Sequence, residues 1–188
     1  MSTAAQAYFH EAKRLLDELP TGELDAIVQA VLDAYDRDSA IYLIGNGGSA
    51  AISSHIATDM SKSTLTPAKR PARVMSLTDN TPLITAWAND FGYDQVFVGQ
   101  LESLMRAGDV VLATSSSGRS PNVIRAIEWA LEHGGIVLGL AGFGGGDLAR
   151  LAHHCVVVAS DDYQHVEDTH LALGHIIFRS LLAHIQAG

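Results

Sequence analysis

The stretch "IYLIGNGGSAAISSHIATDMSKS", residues 41–63, changes character twice. Four apolar residues, Ile41 to Ile44, run into Gly45, Asn46, Gly47, Gly48 and Ser49, and a helical spacing starts at once. A short apolar run bounded by glycine reads as a strand buried on both faces. A strand that passes straight into a helix is the repeating unit of a parallel sheet, because parallel neighbours need a crossover between them.

The same rhythm recurs outward from this stretch. Apolar runs stand at 40–44, 72–77, 109–114, 135–140 and 154–159, each followed by Gly, Ser, Asn or Asp, and most then by a helical pattern. Five such runs argue for an α/β protein with a five-stranded parallel sheet covered on both faces. Two helical patterns precede the first run. Residues 3–18 place Ala7, Leu15, Leu16 and Leu19 among Glu and Lys. Thr21 reads as the N-cap of a second helix carrying Leu24, Ile27, Val28, Val31, Leu32 and Tyr35. The chain closes with "VEDTHLALGHIIFRSLLAHI", a long amphipathic helix, and residues 62–71 read as an exposed loop.

Composition narrows the class. The chain has 188 residues, 47% of them hydrophobic and 18% charged, which suits one folded domain rather than disorder. A net charge of -9 leaves no basic stripe for nucleic acid. No apolar run reaches the ~18 residues of a membrane span, so no membrane association is expected. Cys155 is the one cysteine. It excludes an intrachain disulfide framework, fits a reducing compartment and reads as a small buried hydrophobe. The expected location is cytoplasmic.

Two turns point to a ligand. In a parallel sheet, ligands bind at the carboxyl ends of strands. "GNGGSAAISSH" puts Gly45, Gly47 and Gly48 at a strand-to-helix turn, with Ser49 placed to cap the helix. "LATSSSGRSPNVIRAIEWA" runs a strand into Ser115, Ser116, Ser117, Gly118, Arg119 and Ser120, with Pro121 suited to the first helical turn. Hydroxyls, unpaired N–H groups and the positive end of a helix dipole would converge there on an anion. Neither turn is a P-loop or a full dinucleotide fingerprint. The expected ligand is a small phosphorylated molecule, with no nucleotide cofactor.

At these residues the chain resembles the sugar isomerase (SIS) domain family, and more narrowly the phosphoheptose isomerases. The resemblance spans nearly the whole chain and rests on "GNGGSA", "WANDFGYDQVF", "TSSSGRSPNVIRAI", "LAGFGGGDLA" and "VEDTHLALGH". It implies a flavodoxin-like three-layer αβα sandwich. It also implies a homotetramer with shared active sites, in which residues 1–38 of a single domain, 1–188, form a helical extension packed in the oligomer. Asn46, Gly47, Gly48 and Ser49 would lie near the sugar. Asn89 and Asp90 would touch its hydroxyls, and Ser115, Ser116, Ser117 and Ser120 would hold the phosphate. His55, Asp59, Glu167 and His175 fall where the family keeps the groups around the reacting carbons, which in some members bind zinc, one per subunit.

The implied reaction converts sedoheptulose 7-phosphate into a heptose 7-phosphate through an enediol. It needs a base for a carbon-bound proton and a group to protonate the carbonyl oxygen. Asp59 is the candidate base, His175 the acid, and Glu167 a further catalytic and substrate-binding candidate. His55 and Asp59, four apart, share a helix face. Glu167 is read as preceding or opening the last helix. It and His175 are eight apart, about 12 Å of straight helix, so both reach one metal only if Glu167 leaves the helix or the subunits share ligands. The chain departs from the family twice, with Asp59 for a glutamate and Glu167 for a glutamine. The added charge at Glu167 would raise the pKa of a nearby carboxyl. His153, His154, His165 and His184 carry no role from pattern. Two alternatives stand beside the heptose reading: isomerisation of another phosphosugar, and a non-catalytic regulator that binds a protein such as the replication initiator DnaA.

Overall fold

In a computed structural model describing residues 3–65 and 69–187, the five apolar runs are five strands. They are β1 (Ile41–Ile44), β2 (Val74–Ser76), β3 (Val110–Ser115), β4 (Ile136–Ala141) and β5 (His154–Val157). All pair in parallel, in the order β2-β1-β3-β4-β5. This is the flavodoxin-like order, which reverses direction between β1 and β3. Ile44 pairs with Ala113, so the chains leaving β1 and β3 emerge side by side at that reversal.

Both faces of the sheet are covered. One carries α2 (Thr21–Asp36), α3 (Gly48–Ser63) and α8 (Tyr163–Ala187). Ile27, Val31, Ile56, Met60, Leu173, Ile177 and Leu181 pack there on Leu43, Leu112 and Leu140. The other carries α5 (Val98–Leu104), α6 (Pro121–Glu132) and α7 (Gly146–Leu151), through Leu101, Val123, Ile127 and Leu148. Alternation along β3 sends Leu112 to the first face and Val111 and Ala113 to the second. Each fully buried branched side chain contributes about 1.5–3 kcal/mol of transfer energy. No helix among the described residues is long and apolar enough to cross a membrane.

The segment 1–38 divides into two parts. α2 belongs to the sandwich of its own chain, with Ile27, Val31 and Ala34 inaccessible. α1 (Ala4–Asp17) docks more lightly, burying Leu15 against Val158 and Val166 while Phe9 and Leu16 stay exposed. Its Tyr8 stacks on His165 of α8 at 4.0 Å and donates a hydrogen bond to Asp168 Oδ2 at 2.7 Å.

Three local expectations are corrected. Thr21 is the first helical residue of α2, not its cap, because the proline before it takes the N-cap position. Gly47, not Ser49, precedes α3, and Ser49 lies one residue inside the helix with its side chain buried. Of the loop read over 62–71, Lys62 and Ser63 finish α3, and Thr64 is buried, accepting a hydrogen bond from Ala72 N–H. Residues 66–68 lie outside the described residues.

α3 and α8 run in the same direction, with Gly48 beside Glu167 at one end and Ile56 beside Gly174 a turn or two on. A β-carbon on Gly174 would overlap Cδ1 and Cγ1 of the fully buried Ile56. Gly174→Ala should therefore cost about 1–3 kcal/mol by overpacking. Urea unfolding should show a lower midpoint, and the second change Ile56→Val should restore part of it. An unchanged midpoint would mean that the two helices do not meet there.

Candidate functional site

Two helices begin at the reversal of strand order, α3 after β1 and α6 after β3, and α8, which follows the edge strand β5, brings its first turns to the same place. Their N-termini border a cleft of about 160 Å³ lined by Asn46, Ser49, Ser115, Ser116, Ser117, Ser120, Tyr163 and Glu167. Helix starts present unpaired N–H groups and partial positive charge. Ser120 is the N-cap of α6 with Pro121 at its first turn, and it makes no side-chain capping bond there. Ser120 lines the cleft. The serine loop is stapled from behind, since Ser116 O accepts from Gly142 N–H at 2.9 Å and Gly118 O from Leu148 N–H at 3.0 Å. Hydroxyls and dipoles held in place in this way suit a phosphate ester.

Asn46 is clamped. Its Nδ2 donates to Asn122 Oδ1 at 2.8 Å, while its Oδ1 accepts from Asn122 Nδ2 at 2.9 Å and from the Tyr93 hydroxyl at 3.0 Å. The Oδ1 is saturated, so Asn46 can offer the cleft only its remaining N–H.

A second group of side chains stands further along α3 and α8. His55 Nε2 and His175 Nε2 are 3.0 Å apart, and Asp59 Oδ2 lies 3.4 Å from the first and 3.7 Å from the second. One ligand atom from each falls within 4.8 Å of the others. His55 comes from α3 one turn before Asp59, and His175 from the neighbouring α8. Two imidazoles and a carboxylate can move protons between them, and the same donor set suits a divalent metal.

Within one chain the expected four-residue set is therefore split. His55, Asp59 and His175 come together. Glu167 does not, because α8 already starts at Tyr163 and Glu167 sits within its regular turns, about 12 Å of helix before His175. Its carboxylate packs against Gly48 instead, so it is not the carboxyl beside Asp59. Ser115, Ser116, Ser117, Ser120, Asn46, Ser49 and Glu167 share the cleft, and Gly47 and Gly48 are exposed at the start of α3. Asn89 and Asp90 lie exposed on the last turn of α4 (Thr81–Phe91), Asn89 Nδ2 donating to Asp90 Oδ1 at 2.7 Å. They do not line the cleft.

Sequence reasoning missed Asn122, Tyr93 and Tyr163. Asn122 carried a weak signal as a polar residue at the second position of an amphipathic helix, where it is 2% exposed. Tyr93 and Tyr163 carried none, since an aromatic beside a loop is ordinary. Cys155 is half-buried on β5, and burial pushes its thiol up to about 12, which leaves it unreactive.

A family model described as the SIS domain matches residues 7–142. The phosphoheptose isomerase of Rhodospirillum rubrum is 39% identical over 176 residues, covering 93% of this chain and 89% of that protein. The phosphoheptose isomerase of Campylobacter concisus is 35% identical, covering 95% and 91%. The solved phosphoheptose isomerase from Neisseria gonorrhoeae superposes with a TM-score of 0.86 at 31% identity, covering 93% of this chain and 95% of that one.

His170, on the buried stripe of α8, is fully inaccessible, and burial drives its pKa down to about 4, only partly offset by the Ala141 carbonyl. An unfolded histidine takes a proton near 6.5. Between these values the unfolded chain binds more protons than the folded one. Stability from this group is present above about 6.5 and is lost as pH falls toward 4, by on the order of 3 kcal/mol at most. Urea midpoints measured at pH 7 and pH 5 should fall less in His170→Leu than in wild type. Equal falls would remove His170 as the cause.

Proposed function

The chain belongs to the SIS-domain family, among its phosphoheptose isomerases, and on that premise we propose that it converts sedoheptulose 7-phosphate into D-glycero-D-manno-heptose 7-phosphate through an enediol. One observation carries the reading. The anion cleft and the histidine–aspartate group lie at two ends of one α3–α8 surface, with Glu167 at the first end and His175 at the second. The eight-residue step between them spans about 12 Å. An extended seven-carbon chain, six C–C bonds of ~1.5 Å laid in a zigzag plus its phosphate ester, covers most of that span. A three-carbon phosphate does not.

In this reading Ser115, Ser116, Ser117 and Ser120 hold the phosphate, aided by the starts of α3 and α6. Asn46 donates its remaining N–H to the sugar, beside Gly47, Gly48 and Ser49, and Glu167 accepts from a sugar hydroxyl. Asn89 and Asp90 are assigned to hydroxyls on the strength of the family resemblance. Asp59 takes a proton from C1 while His175 gives one to the carbonyl oxygen on C2, leaving the enediol. Loss of the hydroxyl proton at C1 and return of a proton to C2 complete the aldose. His55, 3.0 Å from His175, holds that imidazole in place.

His55, Asp59 and His175 fit zinc, one ion per subunit, since two imidazoles and a carboxylate leave a fourth position open. Zinc bound there would polarise the carbonyl oxygen in place of the proton from His175, because a metal-bound Nε2 carries none. Asp59 keeps a second oxygen for the carbon-bound proton. A cytoplasmic homotetramer with shared sites fits the apolar Phe9, Leu16 and Ile176 exposed on α1 and α8.

Asp59→Asn should lower kcat at least about 100-fold while leaving the affinity for inorganic phosphate intact. Wild-type turnover in that variant would sink the base assignment. Ser117→Ala and Ser120→Ala should each weaken sugar-phosphate binding about tenfold or more. Calorimetry with unchanged affinity would count against the cradle. Both readings can be taken beside proton exchange in deuterated water, with zinc added or chelated.

A further inference from the structure

Phe143 adopts the left-handed conformation, φ 47°, at the head of a run in which Gly144, Gly145 and Gly146 do the same. A β-carbon makes that conformation costly, and glycine would avoid the cost. The chain nonetheless keeps a phenylalanine there. Strain of this kind persists only where surrounding contacts hold it. Phe143 N–H donates to Ser160 O at 3.0 Å, and the ring packs beside Leu15, Val158 and Val166. The ring also meets Tyr163, with ring centroids 4.6 Å apart and planes tilted by 43°.

Tyr163 is the first residue of α8 and stands four before Glu167, hence on the same face of the helix. Both line the serine cleft, where Tyr163 is the one aromatic among the described residues. Half of its surface, 52%, is open to solvent. A phosphate has no use for this ring, because four serines and the helix starts already serve the anion. An aromatic face suits carbon-bound hydrogens, which polar groups cannot satisfy.

We propose that Tyr163, held from behind by Phe143, is a specificity-determining wall that packs on the carbons of the sugar nearest the phosphate ester. The proposal rests on the sugar-phosphate reading above. Tyr163 touches the ligand. Phe143 is a positioning residue, and the left-handed backbone is what swings its ring under Tyr163. The wall selects for a phosphate borne on a carbon chain over the bare anion.

The test is calorimetry of wild type, Tyr163→Ala, Tyr163→Phe and Phe143→Leu against inorganic phosphate and against sedoheptulose 7-phosphate, with isomerase kinetics in parallel. Tyr163→Ala should bind inorganic phosphate as wild type does and sugar phosphate about five- to tenfold more weakly. Tyr163→Phe, which keeps the ring, should recover most of that loss. Phe143→Leu keeps the apolar packing, and should raise KM about two- to threefold with little fall in kcat, a split that general destabilisation would not produce. Wild-type sugar-phosphate affinity in Tyr163→Ala overturns the proposal. So does an equal loss of both ligands, which would mark a collapsed cleft. If wild type binds the sugar phosphate without isomerising it, and Tyr163→Ala weakens that binding, the isomerase reading fails and the wall stands. If wild type binds the sugar no better than the bare anion, both fail.

Discussion

The parallel approach of α3 and α8 is the contact on which the site depends. Two helices with side chains at every facing position would stand further apart. Here Gly48 lies against the carboxylate of Glu167, and Gly174 receives the side chain of Ile56. Because the helices run in the same sense, residues seven or eight positions on from the first contact meet again. His55 thereby reaches His175, with Asp59 between them. The buried layer beneath, from Ile56 and Met60 to Leu173 and Ile177, holds this register rigidly against the sheet.

The same approach sorts the charges. At the N-terminal end of both helices, dipoles and serine hydroxyls make a place for an anion on a chain whose net charge is -9. The attraction is local and comes from backbone groups, so the overall acidity does not oppose it. Further along, where the dipole field has faded, His55, Asp59 and His175 gather, while the Glu167 carboxylate stays at the cleft end. The serine cleft and the histidine–aspartate group, separated by a fixed length of helix, give the surface a direction.

Glu167 and Tyr163, the latter packed on Phe143, complete the cleft from the α8 side. The two rings are brought together by two different loops, the left-handed turn after β4 and the start of α8 after β5. The Asn46–Asn122 pair does the same service between the turns after β1 and β3. The Asn46–Asn122 link exists because β1 and β3 are neighbours in the sheet, and the Phe143–Tyr163 link because β4 and β5 are.

The amino-acid sequence by itself determined the five strands, the parallel α/β class and the two phosphate-like turns. These are local features, written in apolar runs and in Gly and Ser at their ends. It also brought His55 and Asp59 onto one helix face. Only the tertiary structure decided that His175 joins them and that Glu167 does not. Periodicity gives the spacing along a helix, but neither where that helix starts nor which neighbour its side chains meet. The start of α8 at Tyr163, the capping of α3 by Gly47 and the pairing of Asn46 with Asn122 depend on packing between elements far apart in the chain. Such contacts leave no periodic trace, so they become visible only once the sheet has brought the loops together.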